Sequence, residues 1–381
     1  MVVYLALTVL TIGMVCLFVR REETPVRSGR YTVIHRGMTR QQLVNRIVLG
    51  SLFLALFLVS ALRLNVGNDY GNYVEFMHLA YAHAYVPTEW GFNNLTRLVY
   101  ELSGFENYLA VFAIFAAVTI GLFLTALWQQ SEDFVLSYMM FMLLGYYFQS
   151  ISTVRYYLAL SVALFAIRYV LRGDWPRFVL LVLAGALFHK SLLLVLLLYP
   201  VAVLRWRRWM FSAFGLVCLA TLFLRGPILR IVLFLYPTYE DTQYLSGGTS
   251  IVSIARCLAV LAAALWLYRR DHGEILRDRR LRFYFLCNMM ALALYTFGAF
   301  LPTVSRVAYY LTITQLFFVP LLLKQVPVQW RRTAVLMTAV ACAGYFAIYM
   351  HGAGAPGVRI LPYQTFLFHE LPPMISERGG L

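Results

Sequence analysis

Apolar runs of about 16 to 22 residues alternate with short polar breaks along the whole chain. A helix of that length crosses the roughly 30 Å hydrocarbon core of a bilayer. The pattern predicts helical spans over residues 2–19, 47–62, 107–128, 134–151, 155–171, 175–189, 191–204, 209–224, 251–268, 283–301, 307–323 and 333–350. The stretch 175–204 divides into two short spans meeting near His189-Lys190-Ser191, each covering roughly 22 Å. A single helix there would carry the RWRRW run, Arg205 to Trp209, to the opposite face. Outside the spans, Tyr73, Phe76, Met77, Ala80, Tyr81 and Ala84 recur at helical spacing, and so do Phe92, Leu95, Leu98, Val99 and Leu102. Both runs predict interfacial helices. The run ILRIVLFLY predicts a third, ahead of the polar turn TYEDTQYLSGG. No internal repeat is visible. The expected fold is an all-α integral membrane protein of about 12 transmembrane helices, two of them short, forming a single polytopic domain over residues 1–381.

Composition agrees with that pattern. The chain is 61% hydrophobic and only 13% charged, with a mean hydropathy of +0.71; a soluble domain carries about twice that charged fraction. A net charge of +15 suggests nucleic acid in other settings. Here the basic residues sit in short breaks between spans, so no nucleic-acid partner is expected. Arginine supplies 30 of the 32, and the lysines are Lys190 and Lys324. With the N-terminus outside, the breaks at 20–46, 168–177, 205–208, 269–282 and 324–332 face the cytoplasm and hold 22 of the 32. The remaining inner break, QQSED at 129–133, carries no such signal. The first span has Arg20-Arg21 after it and no basic run before it, the reverse of a signal peptide, and reads as an uncleaved helix. Cys16, Cys218, Cys257, Cys287 and Cys342 each lie inside a span, so neither disulfides nor a metal cluster is expected.

Ten basic residues fall outside the topology signal. Five of them, Arg63, Arg155, Lys190, Arg256 and Arg306, sit within or at the outer end of apolar runs. Each costs around 2.5–3.5 kcal/mol near a helix centre, and less near the interface. One such residue can snorkel to the interface. Five on the outer half call for a shared counter-charge, from outer-loop carboxylates or from an anionic substrate, whose phosphate oxygens guanidinium groups grip bidentately. The segment RLNVGNDYGNY puts Arg63, Asp69, Tyr70 and Tyr73 at the outer surface around a flexible Val66-Gly67-Asn68 turn. Asp69 is the general-base candidate, with a salt bridge to Arg63 or an Asx turn as its structural alternative. Glu89 reads first as helix N-terminal charge ahead of Phe92 and second as a substrate-binding acid. His189-Lys190 interrupts a long apolar run, and a satisfied buried histidine is the plain alternative there. The pairs Tyr156-Tyr157 and Tyr309-Tyr310 stand out because each adjoins an arginine. The outer segments 63–106 and 225–250 are then the insertions that form the active site. There is no P-loop, GxGxxG, HExxH or DxD motif, so neither a cofactor nor a metal is expected and the driving energy resides in the substrate.

The motifs VGNDYGNY, EWGF, STVRYYLAL and LFHKSLLL, the Arg306-x-x-Tyr309-Tyr310 pair and a late LPY, in this order relative to the spans, resemble the EpsG family of bacterial exopolysaccharide proteins. The resemblance covers roughly residues 60–320 plus Pro362-Tyr363; the residue after Arg155, often Gln in that pattern, is Tyr156 here. Such proteins are similar to Wzy-type polymerases, which belong with the GT-C membrane glycosyltransferases. The resemblance implies a protein of the bacterial cytoplasmic membrane that joins oligosaccharide repeat units carried on polyprenyl (undecaprenyl) diphosphate at the outer leaflet, without a metal. Membrane lipids and other polysaccharide export or assembly proteins are the implied partners. In that chemistry an acceptor hydroxyl attacks the donor's anomeric carbon and polyprenyl diphosphate leaves. Asp69 would be the base, with Arg63, Arg155, His189 and Arg306 stabilising the leaving group. Tyr70, Tyr73, Glu89, Lys190, Arg256, Tyr309 and Tyr310 would bind substrate, with Asn94 near the glycan path. Three other functions share parts of the pattern. A flippase of the same lipid would favour internal repeats and cations on both faces. A glycan ligase would differ only in acceptor. An acyltransferase using His189 would leave the arginines without a purpose.

Overall fold

The structure is a computed structural model and describes residues 1–20, 38–204, 206–235, 248, 250–302 and 304–371. Helix α1 (Val2–Phe18) turns back into α2 (Arg40–Ala61), and Asn45 closes that end by donating from Nδ2 to the Arg20 carbonyl at 2.8 Å. Helix α2 begins before the predicted span because Thr39 and Gln42 form a capping box that carries it into the basic loop. The pair α3 (Tyr70–Tyr81) and α4 (Trp90–Ser103) occupies the places of the expected outer-loop helices. Next come α5 (Tyr108–Gln130), then α6 (Phe134–Leu143) and α7 (Tyr146–Ser152), which are the two halves of one predicted span bent by 44°. The bend centres on Gly145, whose φ of +78° disfavours a residue with a Cβ. Helix α8 (Val154–Arg172) leads into α9 (Trp175–Ala186), a 3₁₀ segment (Lys190–Leu197) and α10 (Leu198–Val203).

Residues 175–204 form a hairpin of two short arms, as expected. Tyr199 stacks on Phe178 with ring centroids 6.1 Å apart. Helices α11 (Arg208–Phe223) and α12 (Arg225–Leu235) meet at 84°, and α12 occupies the place of the third expected interfacial helix. Nearly all of the polar turn after it lies outside the described residues. The remainder is α13 (Ile251–Arg270), α14 (Arg279–Phe297), α15 (Val304–Thr312), α16 (Gln315–Gln325) and α17 (Val328–His351).

Every predicted span falls on helix, but the expected count of about twelve crossings is not reached by length and hydropathy. Among the described residues six helices qualify, or eight if each bent pair is one span. The shortfall is in α1 and both arms of the hairpin, which are too short, and in α14, whose first turn carries Arg279, Arg280 and Arg282. The protein is membrane-embedded and all-helical, and the β pairing among the described residues is an isolated bridge between Arg63 and Thr365.

Helix α8 is the most enclosed of the long apolar helices, packed against α5 and α9, whereas α13 and α17 lie at the periphery. Its roughly 28 Å length separates two chemically different ends. At the C-terminal end the Arg279 guanidinium donates to the Val170 carbonyl at 3.3 Å, and Arg331 donates to the Lys324 carbonyl at 2.7 Å. Glu132 of the otherwise uninformative QQSED turn pairs there with Arg280 at 3.3 Å and with Lys324. The N-terminal end gathers the outer-loop helices, the hairpin apex and the C-terminal segment.

Candidate functional site

The loop from Arg63 to Asp69 is built rather than flexible, which corrects the expectation from its Gly-Asn turn. Val66 is 1% exposed, and the Gly67 N–H donates to the Arg359 carbonyl at 2.9 Å. Gly67 has φ +113°, and a Cβ there would sit 2.9 Å from the Ile151 carbonyl oxygen. The Asn68 N–H donates to Ser152 Oγ at 2.9 Å, while its side-chain oxygen accepts from the Gly357 N–H at 3.1 Å. The loop is therefore wedged between the α7–α8 junction and the segment after α17. The late LPY motif seals that wedge, with the Tyr363 hydroxyl donating to the Val59 carbonyl at 3.0 Å.

Arg63 does not pair with Asp69. It is buried, donates to the Ser60 carbonyl and to Ser60 Oγ at 3.1 Å, and lies 4.7 Å over the Phe112 ring. Tyr70 stacks on the same ring at 4.8 Å, and Tyr73 lies edge-on to it at 6.4 Å. Both tyrosines are buried in this aromatic cluster rather than set along an open path. Asp69, half-buried, accepts from the Asn68 side chain at 3.1 Å and leaves the start of α3 without a side-chain cap.

Glu89 behaves differently from its simpler sequence reading. Its side chain caps nothing in α4. It turns instead to the first turn of α8 and the hairpin apex, pairing with Arg155, approaching His189 Nδ1 at 3.5 Å and accepting the Lys190 N–H at 3.1 Å. Three groups from two distant chain segments thus converge on one carboxylate. Burial would raise the Glu89 pKa, but the His189 contact, Arg155 and the Lys190 N–H outweigh it and hold the carboxyl at about 2, below its ordinary 4.5. Arg155 lies 5.5 Å from the Tyr73 ring centre and 5.3 Å from that of Phe92. Asp69 and Arg155 both act electrostatically on Tyr73, so the expected base and the expected cation share a neighbour. The glycine of EWGF makes the convergence possible. The Gly91 N–H donates to the Leu187 carbonyl at 2.8 Å, and a Cβ at Gly91 would fall 2.8 Å from that same oxygen.

From His189 a seam of tyrosines runs toward α13. Tyr156 lies edge-on to His189 at 5.6 Å and to Tyr310 at 5.5 Å, and donates to the Arg306 carbonyl at 2.7 Å. The Tyr310 and Ser191 hydroxyls are 2.9 Å apart. Tyr157 packs on Tyr156, and Tyr309 on Tyr157 and Tyr146. Arg256 sits beyond, among Tyr146, Tyr295, Tyr309 and Tyr345. The fold thus brings together Glu89, Arg155, His189, Lys190, Tyr73 and Tyr310, with exposed Arg306 at the rim. Arg63 is set apart behind Phe112, and Arg256 behind Tyr309.

Sequence reasoning missed Ser152, Ser191 and the amides Gln149 and Gln315. Gln149 accepts from the Tyr157 hydroxyl at 2.6 Å, and Gln315 donates to Asn288 at 2.7 Å. The available signal was an uncharged amide inside an apolar run, where such groups seek partners across helices. Among the described residues no group of three or more His, Cys, Asp or Glu side chains is placed to hold a metal ion.

The model of the EpsG family matches residues 46–365, most of the chain. Neither the curated proteins nor the solved structures include a match.

Proposed function

This chain belongs to the EpsG family, and from that premise we propose that it polymerises an exopolysaccharide by joining lipid-diphosphate-linked repeat units. The observation that carries the proposal is the convergence of Arg155, His189 and the Lys190 N–H on half-buried Glu89, at the end of α8 opposite the basic loops. By the positive-inside rule the basic end faces the cytoplasm, which assigns this cluster to the outer leaflet of the cytoplasmic membrane. Cations held rigid before the reaction stabilise charge as it develops without reorganising.

In the proposed reaction the acceptor's hydroxyl oxygen bonds to the donor's anomeric carbon. The bond from that carbon to the diphosphate oxygen breaks, and the electron pair leaves with the diphosphate. Arg155 and His189, with Lys190 and Arg306 at the rim, receive the leaving group. Asp69 accepts the hydroxyl proton, since among the described residues its carboxylate is engaged by the Asn68 amide and by no cation. Glu89 is a poor base because its pKa is about 2; it positions Arg155 and the hairpin apex. Arg63 shapes the loop that presents Asp69.

The test uses purified protein with a lipid-diphosphate-linked repeat unit and reads product length by mass spectrometry. Wild type yields a ladder, and Arg155→Ala and Asp69→Asn each lower its rate by about two orders of magnitude or more. A validated substrate that gives no ladder but crosses the bilayer would replace the polymerase with a flippase. A fully active Asp69→Asn would remove the base assignment.

A further inference from the structure

An apolar cavity of about 890 Å³ lies at the periphery, walled by α13, α16 and α17 and floored by α6. It follows α13 from Val252 to Leu267 and α17 from Trp330 to Tyr345, roughly 22 Å in each case. Trp266 and Trp330 line one end, while Arg256, Gln315 and Tyr345 line the other. Along most of its length the wall is aliphatic.

Arg256 makes this more than a gap between helices. Its Nε and Nη2 are buried without a hydrogen-bond partner, and Gln315 Oε1 is likewise unpartnered. Tyrosines and the thiols of Cys257 and Cys342 surround the guanidinium, and among the described residues no carboxylate pairs with it. A charge kept in such a place calls for an anionic partner that arrives from outside the fold. The seam Tyr309–Tyr157–Tyr156 connects this arginine to His189, and through it to the Glu89–Arg155 cluster.

We propose that this groove holds the isoprenoid chain of a polyprenyl phosphate or diphosphate, with Arg256 reading the phosphate where tail meets head. The assignment rests on the lipid-linked substrate of the proposed function and adds the place where the tail lies. One groove ending in one guanidinium with two unpartnered nitrogens matches one long chain with one anionic end. The lateral position between two peripheral helices lets a chain enter from the bilayer, and the volume lies in the range of ligand cavities.

The experiment measures binding of undecaprenyl phosphate and farnesyl phosphate to the intact protein by native mass spectrometry. Crosslinks from a diazirine-bearing isoprenoid phosphate are mapped alongside. Wild type is expected to prefer the longer chain and to crosslink on α13 and α17. Arg256→Gln weakens both lipids about ten- to a hundredfold, and Arg256→Lys restores part of the loss. Ala341→Trp, at an exposed position on the groove wall, abolishes the chain-length preference without threatening the fold. Binding unchanged in Arg256→Gln and Ala341→Trp, crosslinks elsewhere, or displacement by phosphatidylglycerol would overturn the groove assignment. A ladder of polymer with crosslinks elsewhere would overturn only the groove. Crosslinks on α13 and α17 with no polymer from a validated substrate would overturn only the polymerase reading.

Discussion

At the scale of single residues, Glu89 carries the most consequence. Its carboxylate is held at about 2 rather than 4.5 by His189, Arg155 and the Lys190 N–H against the opposing effect of burial. A depressed carboxylate pKa stabilises the fold above the unfolded value, and the contribution disappears as pH falls through the folded value. Glu89 should therefore contribute stability at neutral pH that fades between about pH 4.5 and 2. Unfolding of wild type and Glu89→Gln compared over that range reads this directly: the gap between them should be flat above pH 5 and close toward pH 2. A gap that stays constant through acid would mean the ion pair contributes nothing to stability. The sequence offered Glu89 as helix-terminal charge because local spacing sees only α4. Arg155, 66 residues away, and Lys190, 101 residues away, became visible only through packing.

At the scale of elements, two glycines of the outer loop make opposite predictions. Gly91 sits against the Leu187 carbonyl, where a Cβ would fall at 2.8 Å, whereas a Cβ at Gly71 meets nothing within 4 Å. Gly91→Ala should force α4 away from the hairpin, cost about 1–3 kcal/mol and cut polymer formation sharply, since it carries Glu89 with it. Gly71→Ala, in a helix, should be neutral or stabilising by up to about 1 kcal/mol. Thermal unfolding with the ladder assay checks both; an active, stable Gly91→Ala would show that the contact with Leu187 does not position Glu89. The helices themselves were legible in the chain, because apolar runs and amphipathic spacing are local properties. The bend at Gly145 and the early start of α2 were not, since a positive-φ glycine and a capping box act over a few residues inside or beside otherwise uniform runs.

At the scale of the whole molecule, the two ends of α8 divide the protein into a basic face and a face that bears the candidate site. Lys190 and Arg280 are both exposed and lie at these opposite ends. Cysteines introduced at the two positions should react with a membrane-impermeant thiol reagent on intact cells only at 190, once labelling of the parent is subtracted. Labelling at 280 alone would invert the orientation. The chain by itself determined that the protein is helical and membrane-embedded, which cations topology leaves over, and the family, since hydropathy, charge placement and motif order are properties of neighbouring residues. Tertiary structure alone decided which of those cations meet. Arg155 and His189 share one carboxylate, Arg63 is walled off by Phe112, and Arg256 waits at the end of a groove. The reason is physical: a buried charge takes its character from partners tens of residues away in sequence, and only packing brings them within hydrogen-bonding reach.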